Sequence, residues 1–502
     1  MSPKILIAVL FGIWTMSTRA QSENFTKEQI KEDLQYLANT LNEKSSYVYL
    51  NGYDFNKDFE QYLKTKGDTI ALDDFGLFLT RTLAKIGDRH SSVNTIRGYS
   101  LNESRFLPFI YAPLDDKVVV LNQDANKNLK IRFAEFPYLK KIDGTAINDF
   151  LQKNRPEDIE APKETYFTMA VRDIRDIQKN YRLINEPLPK EMKLTLSDAT
   201  FRKDTTIVVP IIEKSERLRP WDEKFEREYI GTKDEDFNKP EVIKKLFDVK
   251  DGIAYIKIPA MVSKNEAPLL FDKVNSFMQS IENNSNALII DVRSNGGGTR
   301  DLIYEFAKYL VHPDSVYVVN ATRQRGPLPL SKEYKERLNT RYLYAYSELG
   351  PKEQNSVKEF LKTFEPIYRL DDEKYSEYHF GLLNGTKLSE KSYHYDEAVY
   401  ILANEKTFSA ASVFVSVFKG IPNVQIAGVT TDGSSGNSEW FDLPVTKLFG
   451  KISTMVSFQK NGKILDGFGT KPDIPIKRDM GQILWKSDTQ LEKLRSLILQ
   501  ED

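Results

Sequence analysis

No cysteine occurs anywhere in the 502 residues. Its absence excludes disulfides, thiolate metal ligands, a cysteine nucleophile and a lipid-modified N-terminal cysteine. An excess of one charge is missing too. Against 71 Lys and Arg stand 72 Asp and Glu, a formal net charge of −1, so no global field draws the chain to nucleic acid or an anionic membrane. Only four histidines occur, His90, His312, His379 and His394. No H-E-x-x-H or similar spacing groups them, so neither a metal nor a cofactor is assigned. The 25 glycines and 22 prolines are thinly spread, without repeats or low-complexity tracts.

What is present begins with an export signal. Lys4 supplies a short basic region, Ile5–Met16 is apolar, and Thr18-Arg19-Ala20 offers small residues for cleavage. The apolar run is short for a bilayer span and no later stretch is long enough. The chain is therefore expected to be exported, periplasmic or secreted, with no stable span once residues 1–20 are removed. Its lack of disulfides fits a bacterial source, and the lack of cysteine excludes a lipoprotein.

Periodicity divides the rest. Residues 21–106 read as a helical region, with Ile30, Leu34, Leu37 and Leu41 at helical spacing and a stop at Gly87. Residues 107–215 read as a β-rich module of short strands, 216–250 as a charged linker. From 251 to 480 apolar strands alternate with helices, the pattern of a buried sheet covered by helices. A polar, tyrosine-rich stretch, 321–396, interrupts it as an insertion or lid. Residues 481–502 close the chain as a helix.

Four segments carry residues fit for chemistry. Ala398–Ala403 reads as a strand, Asn404–Phe408 as a turn, and Ser409 opens an amphipathic helix. A hydroxyl at that junction faces free helical N–H groups, as a nucleophile requires, although the G-x-S-x-G pattern is absent. An ordinary helix cap explains Ser409 equally well on its own, and Ser412 is a rival one turn further in. The loop Asp291–Gly298 ends in three glycines, whose amides can approach an anion or oxyanion closely. It lacks the ending of a phosphate loop. His90 follows a helix in a polar turn, an accessible place for a general base. Asp466-Gly467-Phe468-Gly469-Thr470-Lys471-Pro472-Asp473 is a tight turn with an aspartate able to orient a histidine.

Taken in order, Ile86–His90, Ala287–Gly298, Asn404–Ser412 and Asp466–Ile474 resemble blocks of the S41 peptidases, the C-terminal processing and tail-specific proteases. The resemblance implies an α/β fold: an S41 (ClpP/crotonase-like) catalytic core, an N-terminal helical region and a PDZ-like β-rich module, to which Lys141–Ile147 is similar. It implies that Ser409 is the nucleophile. Many members pair that serine with a lysine, but Ser434 stands in the lysine's place here. The Ser-His-acid branch, to which tricorn and the chlamydial protease-like factor belong, is the better match, with His90 as base and Asp466 as acid. The Ala410 and Gly297 amides would then form the oxyanion hole. The implied function is serine endopeptidase action on peptide or protein substrates. A non-catalytic peptide or lipophilic-ligand binder on the same fold and a non-peptide acyl hydrolase are the alternatives.

Overall fold

The computed structural model describes residues 23–94, 105–154, 161–223, 237–388 and 393–501. The expected signal peptide, residues 1–20, lies outside them, as does most of the expected linker's middle. Among the described residues no helix is long and apolar enough to cross a membrane.

The N-terminal region holds three helices, Lys27–Lys44, Phe55–Thr65 and Leu72–Lys85. Thr26 starts the first through a capping box with Gln29, which satisfies two otherwise orphaned amides. Their apolar stripes converge on Phe55, Phe75, Leu79 and Leu83, and this core continues into Ile452, Val456 and Phe458 from the far end of the chain. The N-terminal helices thus share a core with the last strands.

Residues 107–212 form a seven-stranded antiparallel sheet in the order Asp204–Pro210, Glu191–Ser197, Tyr138–Ile142, Lys117–Gln123, Ile110–Leu114, with two short flanking strands. Two helices that strand-like periodicity does not announce, Lys163–Asp173 and Ile177–Leu183, bury Ala170, Val171, Ile174 and Ile177 in this module's core. Their polar residues break up the helical stripe, so packing rather than pattern decides them.

The central sheet has six strands, in the order Phe247–Lys250, Ile253–Lys257, Ala287–Asp291, Ala398–Ala403, Val424–Gly428, Ile474–Pro475. All pairs are parallel except the first. Both faces are covered, which explains the unbroken apolar runs. The first strand falls inside the stretch expected as a linker. It turns back at Asp251-Gly252, where both residues have positive φ, the backbone of a tight hairpin. Trp221, also in that stretch, is buried and donates its indole N–H to the Ile483 carbonyl at 3.0 Å.

Residues 321–396 do not stand apart. Val316–Gln324 pairs with His379–Asn384 and with Met455–Phe458, and Leu343–Ala345 completes this four-stranded sheet. The run Phe449–Phe458 divides at Thr454, whose amide donates to the Asn437 carbonyl. Its first half, Phe449–Ser453, joins a different sheet, between Ser438–Asp442 and Ser92–Asn94. That pairing delivers His90.

Candidate active site

Ser409 lies between the Ala398–Ala403 strand and the helix Ala410–Phe418. Its backbone has φ 54° and ψ −126°, a costly conformation for a residue with a Cβ. Its side chain makes no capping bond to the helix, so the strained turn aims the hydroxyl elsewhere. The web around it holds the turn. Asn404 Oδ1 accepts from the Ser294 amide at 2.8 Å and its Nδ2 donates to Ser294 Oγ at 3.1 Å. The Phe408 amide donates to the Asn295 carbonyl at 2.9 Å, and Thr407 Oγ1 donates to the Val292 carbonyl at 3.0 Å. Strand exit and glycine loop are therefore one unit.

His90 Nε2 stands 3.1 Å from Ser409 Oγ, across 319 positions of sequence. The imidazole stacks on Phe408, centroids 4.8 Å apart. Asp88 builds the turn beneath it. One of its oxygens accepts from the His90 and Ser91 amides, both at 2.8 Å, and from Ser453 Oγ at 2.6 Å; the other accepts from Ser91 Oγ. This is an aspartate bonding backbone two and three residues on, with Ser453 locking the turn to the neighbouring strand.

Asp466 does not hydrogen-bond His90. Its Oδ2 accepts from Tyr47 at 2.9 Å and Ser435 at 3.2 Å. His90 Nδ1 and Asp466 Oδ1 are both buried without a hydrogen-bond partner. The direct imidazole–carboxylate bond expected from sequence is thus not made: Tyr47 and Ser435 hold Oδ2, and Oδ1 is left unpaired. Burial, with the nearby Asp88 charge, pushes the Asp466 carboxyl up to about 7. Burial, with the positive charges of Lys451 and Arg89, lowers His90 to about 3. The imidazole is neutral at pH 7, as a base accepting the Ser409 proton must be.

The two expected oxyanion donors differ. The Ala410 amide, at the first helical position, has no hydrogen-bond partner among the described residues. The Gly297 amide is given to Asn295 Oδ1 at 2.9 Å. Gly297 nonetheless lies against the nucleophile: a Cβ there would fall 2.6 Å from Ser409 Cβ and 2.9 Å from the Ala410 nitrogen, and its φ is +93°. Only glycine fits.

The remaining candidates are accounted for. Ser412 is buried, donates to the Thr407 carbonyl at 2.6 Å and accepts from the Gly433 amide at 3.1 Å. Ser434, in the lysine's place, donates to Asp432 at 2.8 Å. Among the described residues no group of three or more His, Asp or Glu could hold a metal. Sequence reasoning overlooked Asp88, Asn295, Asn404 and Tyr47. The Asp88 spacing to His90 carried a turn signal; the others act across the fold.

The sequence profile of peptidase family S41 matches residues 252–476. Over those residues, just under half of the chain, the sequence is similar to that family. They run from the Ile253 strand to the end of the central sheet and include Ser409. The fold agrees over more than this domain. Mature CPAF superposes with a TM-score of 0.63 at 17% identity, covering 95% of this chain and 98% of its own. Mature CPAF complexed with lactacystin gives 0.62 at 16%, covering 95% and 99%. At such identity the likeness is one of fold. No curated protein matches the chain in sequence.

Proposed function

We propose that this chain is an exported S41-type serine endopeptidase whose reaction runs through Ser409 and His90, with Asp466 as the supporting acid. The observation that carries the reading is the 3.1 Å contact between His90 Nε2 and the hydroxyl of a strained Ser409. In the step proposed, Ser409 Oγ attacks the scissile carbonyl carbon and His90 Nε2 takes its proton. The developing oxyanion is held by the Ala410 amide and, once it turns from Asn295, by the Gly297 amide. The protonated imidazole then gives that proton to the leaving amine as the carbon–nitrogen bond breaks, and water reverses the sequence on the acyl-enzyme. In this reading Asp466 Oδ1, unpaired in the structure, turns to accept from His90 Nδ1 as the imidazolium forms, while Tyr47 and Ser435 hold Oδ2. The β-rich module is read as PDZ-like, with the open edge of Asp204–Pro210 available to an added peptide strand.

The test is cleavage of denatured protein or peptide substrates by the full chain. Ser409→Ala and His90→Ala are each expected to reduce kcat by about four to six orders of magnitude. Ser409 is also expected to react with a fluorophosphonate, and His90→Ala to slow that labelling. Undiminished turnover in either variant would exclude the mechanism. Export rests on the N-terminal signal, and an N-terminus at Gln21 in the mature protein is the outcome that supports it.

A further inference from the structure

The strand Phe449–Ser453 runs away from the catalytic base, and its alternating side chains define a face. Ser453 lies at the near end, bonded to Asp88 beneath His90. A Cβ on Gly436 would sit 2.3 Å from Ser453 Oγ and 3.6 Å from His90 Cβ, so the strand end packs on the imidazole's backbone side. Two residues further, about 7 Å along, Lys451 occupies the same face, opposite Trp440 on one side and Ser92 on the other. Phe449 comes next. Trp440 is 63% exposed and its ring lies beside that of Phe449, tilted by 32° with centroids 5.8 Å apart.

Lys451 is half-buried, yet no carboxylate pairs with it among the described residues. Asp88 attracts it, but four hydrogen bonds already occupy both of that residue's oxygens. A partly desolvated ammonium with no carboxylate oxygen of its own to bond is unfavourable for folding, and its position beside the candidate active site fits a ligand role. The imidazole lies between Ser409 and this strand. A peptide bound at Ser409 therefore passes Lys451 with the portion that leaves with the amine, since that amine must meet the imidazole.

Resting on the Ser409–His90 reading, we propose that Lys451 is a specificity-determining residue that binds a carboxylate of the substrate on the leaving-group side, with Trp440 and Phe449 as the apolar shelf beside it. The ligand is an acidic side chain within the first few residues after the cut. A charge-assisted hydrogen bond of this kind favours the acidic substrate by about 10- to 100-fold.

The experiment takes a peptide cleaved by the full chain and resynthesises it with Glu, Gln or Lys at each of the first three positions after the cut. The expected wild-type kcat/KM ratio of Glu to Gln is about tenfold or more at one position. Lys451→Met should bring that ratio to about one, and Lys451→Glu should turn the preference toward Lys. A folding defect slows all peptides alike and leaves the ratio intact, so the ratio isolates the charge. A wild-type ratio near one, or a ratio that survives Lys451→Met, overturns the proposal. The same ratio is then read as dissociation constants on the Ser409→Ala chain. A binding ratio without wild-type cleavage removes the catalytic reading and keeps Lys451; cleavage without the ratio does the reverse.

Discussion

Ser409 and His90, the nucleophile and base of the proposed mechanism, are held in opposite ways. Ser409 is fixed within one sheet, by Asn404, Thr407 and Asn295 spanning adjacent parallel strands. His90 belongs to another part of the chain and is fixed by docking: Asp88 shapes its turn, and Ser92–Asn94 pairs with Phe449–Lys451. One half of the site is built by local strain inside a rigid core. The other is built by contacts across some 360 positions and is easier to disturb.

Three changes probe that contrast. Gly297→Ala strikes the rigid half, where an added methyl meets Ser409 Cβ and the Ala410 nitrogen. We expect kcat/KM to fall by about two to three orders of magnitude, and near-normal activity would show that the wall behind the nucleophile yields. Asp88→Ala strikes the docked half. It leaves the His90 and Ser91 amides buried without an acceptor, costing about 1–3 kcal/mol, and loosens the imidazole enough for a loss of about a hundredfold. Steady-state kinetics and thermal melts check both, and Asp88→Asn should recover part of each loss. If Asp88→Ala instead lowers stability while kcat/KM stays constant, docking alone positions the base.

The smallest effect is one of pH. Asp466 rises from 3.8 to about 7 on folding, so its contribution to stability is full below pH 3.8 and is lost as pH rises through 7. His90 falls from 6.5 to about 3, so its contribution is full above pH 6.5 and is lost as pH drops toward 3. Between pH 4 and 6.5 these slopes oppose. Asp466→Asn should leave a Tm that rises with pH across that window relative to wild type, and His90→Gln a Tm that falls. Parallel Tm curves for the two variants would contradict the assignment.

Legibility followed the same divide. The central strands were readable because burial on both faces leaves unbroken apolar runs, and Asp301–Leu310 and Val424–Gly428 fall where periodicity puts them. Ser409 could be picked out because strand, turn and helix are contiguous. That His90 would meet it was not readable from the residues alone, since three residues of strand pairing carry no periodic signal. Tyr47 shows the limit most clearly. It reads as an ordinary aromatic after a helix, yet its hydroxyl donates to Oδ2 of Asp466, the carboxylate expected to serve His90. Hydrogen bonds between segments 419 positions apart leave no trace in local pattern. The module helix Lys163–Asp173 escaped for a related reason: Thr165 donates to the Glu405 carbonyl and Thr168 to its carboxylate, polar contacts that blur an amphipathic stripe while joining the module to the turn before Ser409.

The docking of Ser92–Asn94 onto Phe449–Lys451 also sets an order in time. Synthesis delivers the histidine first and the serine more than three hundred residues later, but the strand that seats the histidine comes later still. A chain still being made can hold both reactive groups and no machine. On the proposed mechanism, the site is complete only after residues 449–453 have been made and have paired with Ser92–Asn94.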